Sequence, residues 1–249
     1  MVKPDYAVIR LTRFFTTLCA VVVFCVVMYA AVLIFQSTMF KRAVSDAYRN
    51  NTHTVIIDAG HGGEDCGTAS ESGILEKNIN LPISETLEET FAFFGYDTVM
   101  TRSEDTLIYD SDCDKIREKK VSDIHNRMKI IEEHSDAVFL SIHQNHFENP
   151  KYNGTQVFYS KNNPLSRTLA EKIKKTVVQD LQPDNKREIK QTGTEIYLLY
   201  HSQIPSVMVE CGFLSNAEEA NLLNTPEYRN KMAFDIFKGT YLYLSESTE

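Results

Sequence analysis

Two histidines and two carboxylates stand out because each is joined to a segment that a fold would bury. His61 follows the apolar run TVIIDAG, His143 closes AVFLSI, and Glu210 closes SVMV. Imidazole and carboxylate are the side chains that ligate divalent metals and exchange protons near neutral pH. Catalytic zinc takes three protein ligands, often two His and one Glu, and keeps a fourth position for water. Glu76, at the start of an expected helix, is the candidate third ligand, leaving Glu210 as a separate base beside that water. Each residue also has a plainer explanation. A single histidine at a strand end is more often a hydrogen-bonded turn residue, and Glu76 taken alone is a first-turn carboxylate that favours the helix dipole. Glu210 is harder to dismiss, since a carboxylate closing an apolar strand needs a partner or a function.

Other chemistries fit the same loop poorly. AGHGGEDCG is not a dinucleotide fingerprint, because Asp65 occupies the third glycine position after Gly60 and Gly62. No G-K-[ST] follows it, and no G-x-S-x-G elbow occurs anywhere in the chain. Cys66 and Cys211 lie near the candidate site, but small buried cysteines are commoner than reactive ones. Cys66, Cys113 and Cys211 are odd in number and lack C-x-x-C spacing, so no disulfide framework is expected.

The elements that must position these residues alternate between strand and helix. Thr54–Asp58 reads as a buried strand running into the glycine-rich turn. Helical spacing over 77–94 (Ile79, Ile83, Leu87, Phe91) ends at Gly95, with Pro82 tolerated in the first turns. Further strands are expected at 98–101, 137–142, 154–159, 195–199 and 206–210, with helices at 123–134, 165–181 and 227–244. This order predicts an α/β fold with a mostly parallel sheet covered on both faces. Ligands of open α/β sheets bind beyond the carboxyl ends of the strands. His61, His143 and Glu210, far apart in sequence, are therefore expected at one edge.

Residues 14–35 form a 22-residue run without a charge. At 1.5 Å per residue a helix of that length spans a hydrocarbon core of about 30 Å. It is longer than the apolar core of a signal peptide, and 36–40 is a poor cleavage site, so an uncleaved anchor is expected. The division is then a tail at 1–13, a transmembrane anchor at 14–35, a linker at 36–50 and a catalytic domain at 51–249. Three basic residues precede the run and three follow it, so charge does not fix its orientation. The domain is placed outside the cytoplasm because its expected substrate is there. The first 50 residues hold six of the 26 Lys and Arg and two of the 34 Asp and Glu, which leaves 51–249 with a net charge of −12. An acidic surface argues against a nucleic-acid partner.

Five blocks in order, VIIDAGHGG, LEKNINL, MTRSED, AVFLSIHQNH and SVMVECGFLSN, resemble the zinc-dependent N-acetylmuramoyl-L-alanine amidases over residues 53–244. The resemblance implies a three-layer α/β/α fold, zinc held by His61, Glu76 and His143, and Glu210 as the catalytic carboxylate. It implies peptidoglycan as substrate, cleaved between the muramic acid lactyl group and L-alanine. Arg102 and Asn145 either orient substrate and support the ligands, or form a strand-end salt bridge and a turn amide. Two departures are visible. Gln144 replaces the family's usual alanine, and only ten residues separate His143 from Gly154, so the long self-inhibitory insertion of cell-separation members is not expected. The chain ends with the domain, so no wall-binding module is expected, and a helper protein of unknown identity is conceivable. A short enzyme with an N-terminal anchor is similar to the germination-specific branch of the family, which acts on the spore cortex, and its setting would be the intermembrane space of a forming spore. Two other readings stay open: a zinc peptidase cutting within the stem peptide, and an anchored, non-catalytic wall-binding regulator.

Overall fold

Buried alternation along the strands sets the architecture. In the computed structural model, which describes Val23, Phe24, Met28, Tyr29 and residues 53–246, a six-stranded sheet is built from β1 (Thr54–Ala59), β2 (Asp97–Met100), β3 (Val138–Asn145), β4 (Gln156–Tyr159), β5 (Lys190–Gln191) and β6 (Ser206–Phe213). Its order is β2-β1-β3-β6-β4-β5. All pairings are parallel except β4 with β6, so the sheet is mostly parallel, as expected.

Successive residues of a strand point to opposite faces, and the core divides accordingly. Ile57, Leu140, Ile142 and Val209 pack against α1 (Lys77–Phe93), α3 (Leu165–Asp180) and α6 (Pro226–Glu246). Ile56, Phe139 and Met208 face α2 (Ile116–Glu132) and α4 (Tyr197–His201). Helices thus flank both faces. A further helix, α5 (Ala217–Leu223), follows β6.

α1 shows how sequence becomes geometry. Ile79, Ile83, Leu87 and Phe91 recur every fourth residue and are fully buried, forming one apolar stripe. The helix stops because Gly95 adopts φ 82° and lets the Tyr96 amide donate to the Phe91 carbonyl. Its first turn is fixed beside the end of β1 by Asn80, which donates to the Gly60 carbonyl at 3.1 Å.

Several expectations are corrected. The strand expected at 195–199 is the helix α4; IYLLY is a short apolar run, and its length leaves strand and helix unresolved. The strand in that region is β5, earlier and only two residues long. α2 begins at Ile116 rather than 123, and α5 had no counterpart. β3 and β6 continue past His143 and Glu210, which lie inside strands rather than closing them. The expected anchor at 14–35 lies outside the described residues apart from the four named above, which are helical and exposed. Among the described residues no helix is long and apolar enough to cross a membrane.

Candidate active site

β1 runs through Ala59 and Gly60 into His61, whose φ of 61° is left-handed, uncommon for a residue with a Cβ. The reversal is held by paired backbone bonds between Gly62 and Asp65, each 2.9 Å. It also brings Asp65 Oδ2 to 2.9 Å from His61 Nδ1, leaving Nε2 directed at Glu76 Oε2, 3.3 Å away. Glu76 is only 3% exposed. Its Oε1 accepts the Gln144 amide at 3.0 Å and lies 2.9 Å from His143 Nδ1, while Oε2 accepts the Thr68 amide at 2.8 Å. His61, Glu76 and His143 each offer one ligand atom, all within 4.8 Å of one another.

Backbone closeness is part of the site. A Cβ on Gly60 would stand 2.3 Å from the His143 ring, and one on Gly67 would stand 2.4 Å from Glu76 Oε2. Glycine is therefore required at both positions for the cluster to close.

The electrostatics favour a cation. Burial works against charge on His61, yet hydrogen bonds that its ring donates to Asp65 and Glu76 hold its pKa at about 9. Burial likewise opposes the Glu76 charge, and the two histidines outweigh it and hold the carboxyl far below the usual range. A divalent ion satisfies the same groups, so the donor set fits a metal.

Glu210 lies opposite His143 in the β3–β6 ladder. Burial pushes its carboxyl up to about 7, and Oε2 is buried with no hydrogen-bond partner. Buried orphaned polar atoms are rare, and one beside a ligand cluster is a candidate for chemistry. Cys211 points elsewhere; its thiol is buried and pushed well above the usual range, which speaks against a thiol nucleophile. The cysteines outside the N-terminal run are free.

Arg102 is 3% exposed and lies beneath the loop. It donates to the carbonyls of Ala59 (2.8 Å), Gly60 (3.1 Å) and Glu104 (2.9 Å). It positions the His61 turn and makes no salt bridge among the described residues. Asn145 receives the Leu214 amide on its carbonyl at 2.8 Å, joining β3 to the exit of β6. Sequence reasoning overlooked four supporting residues. Arg127 donates to Asp58 (2.5 Å), Asp123 (2.7 Å) and the His61 carbonyl (2.9 Å). Asn80 donates to Gly60 O and Glu76 Oε1 and accepts from Gln144. Asp65 and Asp58 complete the group. The i, i+4 spacings His61/Asp65, Glu76/Asn80 and Asp123/Arg127 were visible signals.

The fold and site define an α/β protein whose sheet gathers two histidines and a carboxylate, in metal-ligand geometry, beside a second, unsatisfied carboxylate. A profile of N-acetylmuramoyl-L-alanine amidases matches residues 55–240. The chain belongs to that family, and the expectation of amide hydrolysis in peptidoglycan stands with it. It is 31% identical over 192 residues to the germination-specific N-acetylmuramoyl-L-alanine amidase of Bacillus subtilis, covering 77% of this chain and 80% of that one. Among solved structures it is similar to the CwlD amidase from Clostridioides difficile in complex with the GerS lipoprotein, with 38% identity, a TM-score of 0.75, and 78% and 100% of the two chains covered. It is also similar to AmiC2 of Nostoc punctiforme, with 31% identity, a TM-score of 0.66, and 78% and 97% covered.

Proposed function

We propose that the chain is a zinc-dependent N-acetylmuramoyl-L-alanine amidase in which His61, Glu76 and His143 hold the metal and Glu210 moves the proton. The observation that carries this reading is the buried, unpartnered Glu210 Oε2 beside three convergent ligand atoms. When bound, the ion supplies Lewis acidity to an amide carbonyl and acidifies water. Glu210, held near neutral pKa by burial, takes a proton from the attacking water and returns it to the departing L-alanine nitrogen. Asp65 fixes the His61 ring so that Nε2 faces the cluster, and the Gln144 amide fixes Glu76. Arg102 and Arg127 hold the backbone that carries His61.

The cellular reading extends this proposal. The relative from Bacillus subtilis is germination-specific, which supports a role on spore cortex for this chain. The Clostridioides difficile structure pairs an amidase with a lipoprotein, which supports a helper protein here. The division into 1–13, an anchor at 14–35, a linker at 36–50 and a catalytic domain at 51–249, acting outside the cytoplasm, belongs to the same proposal.

Mass spectrometry of glycan–peptide fragments incubated with the protein, with and without a zinc chelator, tests it. Metal-dependent release of peptides beginning at L-alanine is the expected result. Cleavage within the stem peptide would favour a peptidase, and no cleavage by zinc-loaded protein would favour a regulatory role.

A further inference from the structure

A cavity of about 290 Å³ opens beside His61 and His143 and runs along the sheet face between α2 and α4. Ile124, Ile196, Leu198 and Met208 make much of its wall apolar, and Tyr197 adds a ring. Six charged residues also line it, and five are committed to one another. Arg127 is paired with Asp58 and Asp123, and Lys120 with Asp65, whose other oxygen binds His61. Glu195 is the exception. It is exposed, accepts the Gly193 amide at 2.9 Å, and has no ion pair among the described residues.

An exposed carboxylate without a cation is ordinary in itself. This one borders a largely apolar cavity that is also lined by His61 and His143 of the candidate reacting centre. That combination suits an aliphatic side chain tipped by an ammonium, which lays its methylenes on apolar wall and keeps its charge at the rim. The substrate has two halves. The sugar half offers mainly hydroxyls and acetamides, whereas free amines belong to the peptide half. An uncommitted anion therefore selects the peptide.

We propose that this cavity binds the stem peptide through a diamino acid residue, with the aliphatic stem against Ile124, Ile196 and Met208 and the ammonium on Glu195. The assignment rests on the amidase reading above and specifies which half of the substrate lies between α2 and α4. Glu195 is here a specificity residue and takes no part in the bond that breaks.

The test uses the full chain and soluble glycan–peptide fragments in two forms, with the diamino acid's side-chain amine free or acetylated. On acetylation the unaltered protein is expected to lose about twofold to fivefold in kcat/KM, carried by KM, as suits one solvated ion pair. Glu195→Gln should lose the same factor on the free-amine fragment and no longer distinguish the two forms, and Glu195→Asp should recover part of the discrimination. A free-to-acetylated ratio in Glu195→Gln equal to that of the unaltered protein would overturn the assignment. Calorimetric binding of both fragments separates the two readings. Discrimination in binding without hydrolysis keeps the cavity assignment and removes the amidase; hydrolysis without discrimination does the reverse.

Discussion

Glu210 and His143 are register partners in the parallel ladder between β3 and β6, although 67 positions apart in the chain. Both side chains fall on the face covered by α2 and α4, because Phe139, four residues before His143, and Met208, two before Glu210, pack there. The strand pairing thus sets a buried carboxylate beside the metal-ligand cluster without any local sequence link.

Replacing Glu210 by Gln keeps the shape and removes the proposed proton acceptor. We expect bound zinc to be retained and turnover to fall about a hundredfold to ten-thousandfold. Metal content by atomic emission, with a rate on glycan–peptide fragments, checks both halves. Unchanged turnover would remove Glu210 from the proton step.

His61→Ala deletes one proposed ligand and leaves Asp65 without the ring it orients. Zinc content should fall well below stoichiometric, and chelation followed by zinc should restore the unaltered protein only. A full complement of zinc in the variant would contradict the ligand assignment.

Gly60→Ala tests the close approach of backbone to ring. The added methyl meets His143 at 2.3 Å, so the imidazole must move. Metal affinity should drop on the order of 10–100-fold, the scale for disturbing a ligand's support. A zinc titration reads this, while a thermal melt shows that the fold survives.

Asp58 is 1% exposed and anchors Arg127, Ser141 and Thr101. Burial opposes its charge, but Arg127 and then His143 and Ser141 outweigh that and hold its pKa at about 2 against 3.8 unfolded. A depressed carboxylate stabilises above its unfolded pKa and loses that contribution as pH falls through the folded value. About 2–3 kcal/mol should therefore vanish between about pH 4 and pH 2. Asp58→Asn should cost about 3–5 kcal/mol at neutral pH by taking from buried Arg127 one of its two carboxylate partners and leaving only Asp123. It should also flatten this part of the acid profile, as read by urea midpoints at several pH values. An acid profile parallel to that of the unaltered protein would show that Asp58 is not responsible.

Much of the site was legible because burial leaves a local mark. An apolar run leading into His or Glu says that a titratable group is carried by a buried strand, and spacing by four over Ile79–Phe91 locates the helix that presents Glu76. The sequence by itself therefore determined the α/β class, the edge where the chemistry lies and four residues that meet or border there. It did not determine who supports them. Arg127 reaches Asp58 across 69 positions, and its role depends on which helix covers which face. The left-handed turn at His61, the orientation of its ring by Asp65 and the crowding of Gly60 against His143 are likewise products of close packing. The apolar run IYLLY fits either a buried strand or a short helix, and only its place above Ile56 and Phe139 made it α4. Local pattern reports that a residue is buried; the order of the strands and the packing of helices upon them decide against what.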